Sequence, residues 1–168
     1  MKKKGLKNGY PLVILNLNTG EEDIIPYVTD YTFAEDSKIL SYITTGIKDS
    51  IKAGVYVNDL KNGESKHIYE SHNKTKYFKL TISDSGTNLA FIVDSDSSKS
   101  YQRDNELYFW TNSYNKALLL FNNGSSPDGY RVSSDGTMTF SRDESKLFFG
   151  LALPEIYQDT LLLSLIHI

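Results

Sequence analysis

Apolar and polar positions along this chain fall into a motif that is stated three times. An apolar residue leads into a small polar turn and then into an apolar alternation. The copies are Phe33-Ala34-Glu35-Asp36-Ser37 before Leu40-Ser41-Tyr42, Ile82-Ser83-Asp84-Ser85-Gly86 before Leu89-Ala90-Phe91, and Phe140-Ser141-Arg142-Asp143-Glu144 before Leu147-Phe148-Phe149. They align without internal gaps, and their starts lie 49 and 58 residues apart. Alternation of period two reads as half-buried strand, and no window carries a sustained helical stripe.

A second motif repeats out of phase with the first, as a unit of several strands requires. Val13-Ile14-Leu15-Asn16-Leu17-Asn18-Thr19-Gly20-Glu21 matches Tyr56-Val57-Asn58-Asp59-Leu60-Lys61-Asn62-Gly63-Glu64, a displacement of 43 residues. A third copy is Tyr108-Phe109-Trp110-Thr111 followed by Tyr114-Asn115-Lys116, where Asn115 stands for the glycine and also tolerates a left-handed turn. Each unit then holds four strands, and four strands at a period of roughly 40 to 50 residues predict a β-propeller.

The expected organisation is all-β: a β-propeller fragment of two whole four-stranded blades plus two partial blades. Residues 1–26 supply the last strands of a partial blade, Tyr10 to Asn16 and Glu22 to Pro26. Residues 27–75 and 76–122 form the whole blades, the second carrying the long loop Ser95 to Asn105. Residues 123–160 open a further partial blade, in which Asp135-Gly136 reads as a hairpin turn between Arg131-Val132-Ser133 and Met138-Thr139-Phe140. Phe33, Ile82 and Phe140, and likewise Leu40, Leu89 and Leu147, are expected at equivalent, buried places. Leu163 to Ile168 resembles the in-frame translation of a transposon end used in sequencing-library preparation; residues 161–168, His167 included, are set aside as an adapter scar.

Composition narrows the partners. Apolar residues make up 39% of the 168, and the 12 Tyr and 8 Phe suit half-buried strands. The formal charge is −3 and the single basic run is Lys2-Lys3-Lys4, so nothing marks a nucleic-acid footprint. Absence of cysteine excludes a disulfide framework and leaves the compartment open. Gly5, Lys7, Asn8 and Gly9 interrupt any signal-peptide run, and no apolar stretch approaches the roughly 18 residues of a membrane span.

Candidate chemistry is sparse. A serine nucleophile needs a G-x-S-x-G turn with a base in reach. Gly63-Glu64-Ser65-Lys66-His67 and Gly124-Ser125-Ser126-Pro127-Asp128 each miss the second glycine and precede no helix, so they read as ordinary turns. Asp94-Ser95-Asp96-Ser97-Ser98 spaces its oxygens like a calcium loop, but Lys99 and Asn105 replace the closing glycine and glutamate. His67 and His72 have no acidic or thiol partner at ligand spacing. Asn73-Lys74-Thr75 and Asn123-Gly124-Ser125 fit the glycosylation pattern, and Trp110 and the tyrosines read as packing. No catalytic, cofactor-binding or metal-binding residue is expected.

The pairing of these two repeated motifs resembles the propeller repeats of the TolB and WD-like class. More narrowly, YVTDYTFAEDSKILSYITTG, AGVYVNDLKNGESKHIYE, LYFWTN and FSRDESKLFFGLALP together resemble the N-terminal propeller of bacterial prolyl-oligopeptidase-family serine peptidases over about residues 10 to 160. That resemblance implies a non-catalytic propeller set over a C-terminal α/β-hydrolase domain, restricting access to short peptides. The hydrolase domain is not in this sequence, so its Ser, Asp and His have no positions here. The alternative is a TolB or WD-like propeller that binds proteins through its loops; a glycosidase propeller is a weaker third.

Overall fold

The computed structural model describes residues 9–36, 38–47, 50–71, 75–95 and 103–153. His72, Asn73-Lys74, most of the calcium-like loop, and residues 161–168, read above as an adapter scar and including His167, lie outside them. Among the described residues all regular structure is β except one 3-10 turn, Asn123–Ser125.

The first whole unit is an antiparallel meander of β2 (Glu22–Phe33), β3 (Ile39–Thr44), β4 (Gly54–Asp59) and β5 (Glu64–Glu70), with β1 (Tyr10–Leu15) added on the outer edge of β2. The second is the meander β6 (Lys76–Ile82), β7 (Asn88–Asp94), β8 (Glu106–Thr111) and β9 (Leu118–Phe121). The third holds β10 (Arg131–Val132) paired with β13 (Leu151–Ala152) and β11 (Thr139–Phe140) paired with β12 (Leu147–Phe148).

The repeat holds at the level of single hydrogen bonds. Phe33 faces Leu40, Ile82 faces Leu89 and Phe140 faces Leu147 across their strands. Each intervening turn closes with one backbone bond in the same place: Ala34 N–H to Ile39 O at 2.9 Å, Ser83 N–H to Asn88 O at 2.9 Å, and Ser141 N–H to Lys146 O at 2.8 Å. The 43-residue displacement is equally literal. Gly20 N–H donates to Asn16 O at 2.7 Å and Gly63 N–H to Asp59 O at 2.8 Å, both glycines having positive φ. The alternating motif therefore encodes a β-propeller arc, whose innermost strands β2, β6 and β11 lie side by side.

Burial follows the stacking of these units. Ile43, Val55, Val57 and Ile68 of the first sheet pack on Leu89, Phe91, Val93 and Trp110 of the second. The opposite face of the second sheet, with Ala90, Ile92 and Leu107, packs on Val132 and Met138 of the third unit. A third core joins Leu40 and Tyr42 to Leu12, Ile14 and Ile25. Those last three lie 43 residues before Val55, Val57 and Ile68, so the leading hairpin covers the first sheet as one unit covers the next.

At residues 26 and 27 the backbone is continuous: β2 runs through them, and Tyr10 pairs with Val28, so the leading hairpin and the first unit are joined in one five-stranded ladder. The join is marked by a kink, with Tyr27 at φ 57° and register shifts on both sides of β2. Two expectations change. Asp135-Gly136 is not a hairpin turn. Ser133 Oγ accepts from both Asp135 N–H and Gly136 N–H, Ser133 N–H bonds Gly150 O at 3.0 Å, and the segment bulges from one long hairpin whose tight turn is Ser141 to Lys146. Finally, Leu40 and Leu89 are buried and Ile82, Phe140 and Leu147 half-buried, but Phe33 is 57% exposed. Its face is the one covered by the leading hairpin, which supplies only outer strands and does not reach it.

Candidate functional site

A concavity lies between the first and second sheets, at the end where the β2–β3, β4–β5 and β6–β7 turns gather. It has a volume of about 320 Å³. Alternation fixes its floor: Trp110 in β8 points inward, 2% exposed, and its indole N–H donates to Tyr114 O at 2.8 Å. Ile39 and Val57 form an apolar wall, and Ser85 to Thr87 form the other side. The closeness of the two turns depends on Gly86, at φ 77°, because a Cβ there would stand 2.7 Å from Ile39 Cγ1. Glu35 N–H bonds Asp84 O at 3.1 Å across the same gap.

Its rim alternates Asp36, Asp59 and Glu64 with Lys38, Lys61 and Lys66. The Lys38 side chain and backbone donate to Asp36 and hold its carboxyl below the usual range. The rim is thus neutral overall and partly self-paired. Ser85 Oγ, at its edge, donates to Glu144 Oε2 at 2.8 Å.

At the opposite end of the same seam stand Tyr69, Tyr77 and Tyr108. Tyr69 and Tyr108 meet edge to face at 4.7 Å, Phe91 stacks on Tyr108 at 5.7 Å, and Tyr77 OH meets Ser71 Oγ. Tyr108 OH donates to Glu106 Oε2 at 3.2 Å. Burial above all pushes the Tyr77 and Tyr108 hydroxyls far above the ordinary phenol range, so they act as neutral hydrogen-bonding groups.

The residues weighed from sequence are dispersed. Ser65 lies in β5 with Oγ 3.4 Å from Tyr42 OH, while His67, two residues on, stacks on Tyr56 at 4.5 Å. Burial, and then Lys116, hold the His67 imidazole below its ordinary value. Ser125 Oγ donates to Asn122 Oδ1 and Ser126 Oγ to Asn122 O, so both serve the 3-10 turn. Asp94, 2% exposed, is gripped by Arg103 through Nε at 2.8 Å and Nη2 at 2.9 Å. Among the described residues no three His, Cys, Asp or Glu groups converge as a metal site. Asn123 of the second sequon donates from Nδ2 to Asp104 Oδ1.

One group that sequence reasoning passed over is Glu144. It occupies the turn position that Gly86 holds one unit earlier, at φ 55°, and its carboxylate reaches back to the second unit. It accepts from Ser85 N–H at 2.7 Å, Ser85 Oγ at 2.8 Å, Thr87 Oγ1 at 2.9 Å and Asn88 Nδ2 at 3.3 Å. Its signal was the aligned triplet of turns, in which a glutamate replaces a glycine.

No family model matches the chain, and no curated protein matches it. Solved structures do. The chain is similar to the β-propeller domain of the Trilobed protease from Pyrococcus furiosus, described as having an open velcro topology: TM-score 0.53, 16% identity, 84% of this chain and 44% of that one. It is also similar to a prolyl endopeptidase, with TM-score 0.51, 16% identity, 79% of this chain and 21% of that one. A third likeness is to a complex of KlAtg21 with the coiled coil of AgAtg16, with TM-score 0.51, 16% identity, and 82% and 42% covered. The chain spans under half the length of each. These likenesses establish the fold class, a β-propeller arc, and among the structures that share it are propellers of peptidases.

Proposed function

We propose that this chain is a non-catalytic propeller segment that gates substrate access in a prolyl-oligopeptidase-like serine peptidase. Its partners in that reading are a C-terminal α/β-hydrolase domain of the parent chain, which carries the nucleophile, and peptide substrates admitted by shape. The observation that carries it is the match of the repeat, over most of this chain, to propellers belonging to two peptidases, together with the resemblance read from residues 10 to 160.

Recovering the parent gene tests this reading: it should encode, after further blades, a G-x-S-x-G turn followed by an acid and a histidine. A fluorophosphonate probe should label that parent and leave this chain unlabelled. A parent whose propeller stands without a hydrolase domain would overturn the proposal. It would favour a protein-binding module, a reading supported by the likeness to a propeller solved with a coiled-coil partner.

A further inference from the structure

The cleft between the first two sheets sets a doubly acidic edge beside an apolar slot. Ile39 of β3 pairs with Asp59 of β4, and Asp59 with Glu64 of β5, so alternation puts the three in one row on the cleft side of the first sheet. The neighbouring row on that face holds Val57 opposite Lys66. Carboxylates directly opposite each other on adjacent strands repel. Asp59 Oδ1 accepts the Lys61 backbone N–H at 2.9 Å, yet among the described residues neither Asp59 nor Glu64 makes an ion pair. Lys38, on the same rim, is already paired with Asp36. The slot itself is formed by Ile39, Val57 and Trp110, whose indole N–H is occupied by Tyr114 O, so its floor offers apolar surface alone.

We propose that this cleft binds an extended peptide segment in which an apolar side chain is followed by an arginine. The apolar side chain enters the slot over Trp110. The guanidinium lies against Asp59 and Glu64, whose two carboxylates a planar fork of donors can bond together, and this relieves their mutual repulsion. Lys66 Nζ donates to a carbonyl oxygen of the same peptide.

Size and charge both favour this ligand. The volume of about 320 Å³ lies at the lower end of the range of roughly 300 to 1,000 Å³ for ligand pockets and suits two side chains, not a folded partner. Acids at the mouth repel phosphates and acidic sugars, while a bare cation would leave the apolar slot unfilled. The site goes beyond the gating role proposed above and does not rest on it, because both walls belong to whole sheets of this chain.

The chain has one tryptophan, so Trp110 emission reports on the floor of the cleft. Acetyl-Gly-Leu-Arg-Gly-amide, and the same peptide with Leu or Arg replaced by Gly, are titrated into the 168-residue chain and read by emission and by calorimetry. The first peptide should bind saturably. Loss of the leucine should weaken it about tenfold, and loss of the arginine about two- to fivefold or more, the size of an exposed charge contact. Glu64→Gln, at an exposed position that leaves the fold intact, should weaken the Leu-Arg peptide by about two- to fivefold and leave the arginine-free peptide unchanged. Absence of saturable heat and emission change with the first peptide, equal affinity for all three, or indifference to Glu64→Gln would overturn the proposal. None of these results touches the peptidase reading, which the parent gene decides, and a parent without a hydrolase domain would leave the titration as it is.

Discussion

Replacing Glu144 tests whether the seam between the second and third units is fastened by one side chain. Hydrogen bonds to a charged group contribute about 1.5 to 3 kcal/mol each when well formed. Glu144 is half-exposed and its bonds share two oxygens, so their sum must be discounted for solvent. Glu144→Ala should then cost about 2 to 3 kcal/mol, a fall of roughly 4 to 12 °C in Tm for a chain of this size. Glu144→Gly removes the same carboxylate but relieves the left-handed backbone, worth about 1 kcal/mol, and should be the more stable of the two. Burial opposes ionisation of Glu144, but the donors of Ser85 and Thr87 outweigh it and hold the carboxyl below its ordinary value of 4.5. The stabilisation is therefore complete above that pH and is lost as pH falls through the lowered value. Urea titrations at fixed protein concentration would read these differences. An alanine variant within about 0.5 kcal/mol of the parent, or a glycine variant less stable than the alanine one, would refute the reasoning.

Two further outcomes are expected. His67 is held in its neutral form, so thermal stability should drop as pH falls below its ordinary 6.5, and His67→Phe, which keeps the stack on Tyr56, should flatten that dependence in a pH series of melting curves. Arg103→Ala leaves the buried Asp94 carboxylate without its guanidinium and should cost about 3 to 5 kcal/mol by chemical denaturation, while the double change with Asp94→Ala should cost less than the sum of the singles.

What the sequence disclosed follows from which signals are local. Turn chemistry at Gly20, Gly63 and Gly86 and the alternation between the turns depend on neighbours in the chain, and they carried the repeat and the strand order. Asp135-Gly136 failed because its local hairpin tendency competes with a longer pairing of β10 with β13, set by residues some twenty positions away. The exposure of Phe33 was illegible for a related reason: alternation says which face a residue joins, while burial depends on whether another sheet covers that face. The charged cleft could not be read either, since Asp36, Glu64 and Trp110 meet only through the stacking of two units.

The unequal seams bear on how such an arc can be rearranged in evolution. At one seam a missing Cβ lets two turns touch; at the next, the same position holds an acid whose carboxylate binds the neighbouring turn. Duplicating the second unit would set a Gly86-type turn where a Glu144-type reach is needed, and moving the third unit forward would drive a glutamate into Ile39. Units of this chain are thus addressed to their neighbours, and recombination would preserve function more readily when adjacent units travel as pairs than when they are shuffled singly.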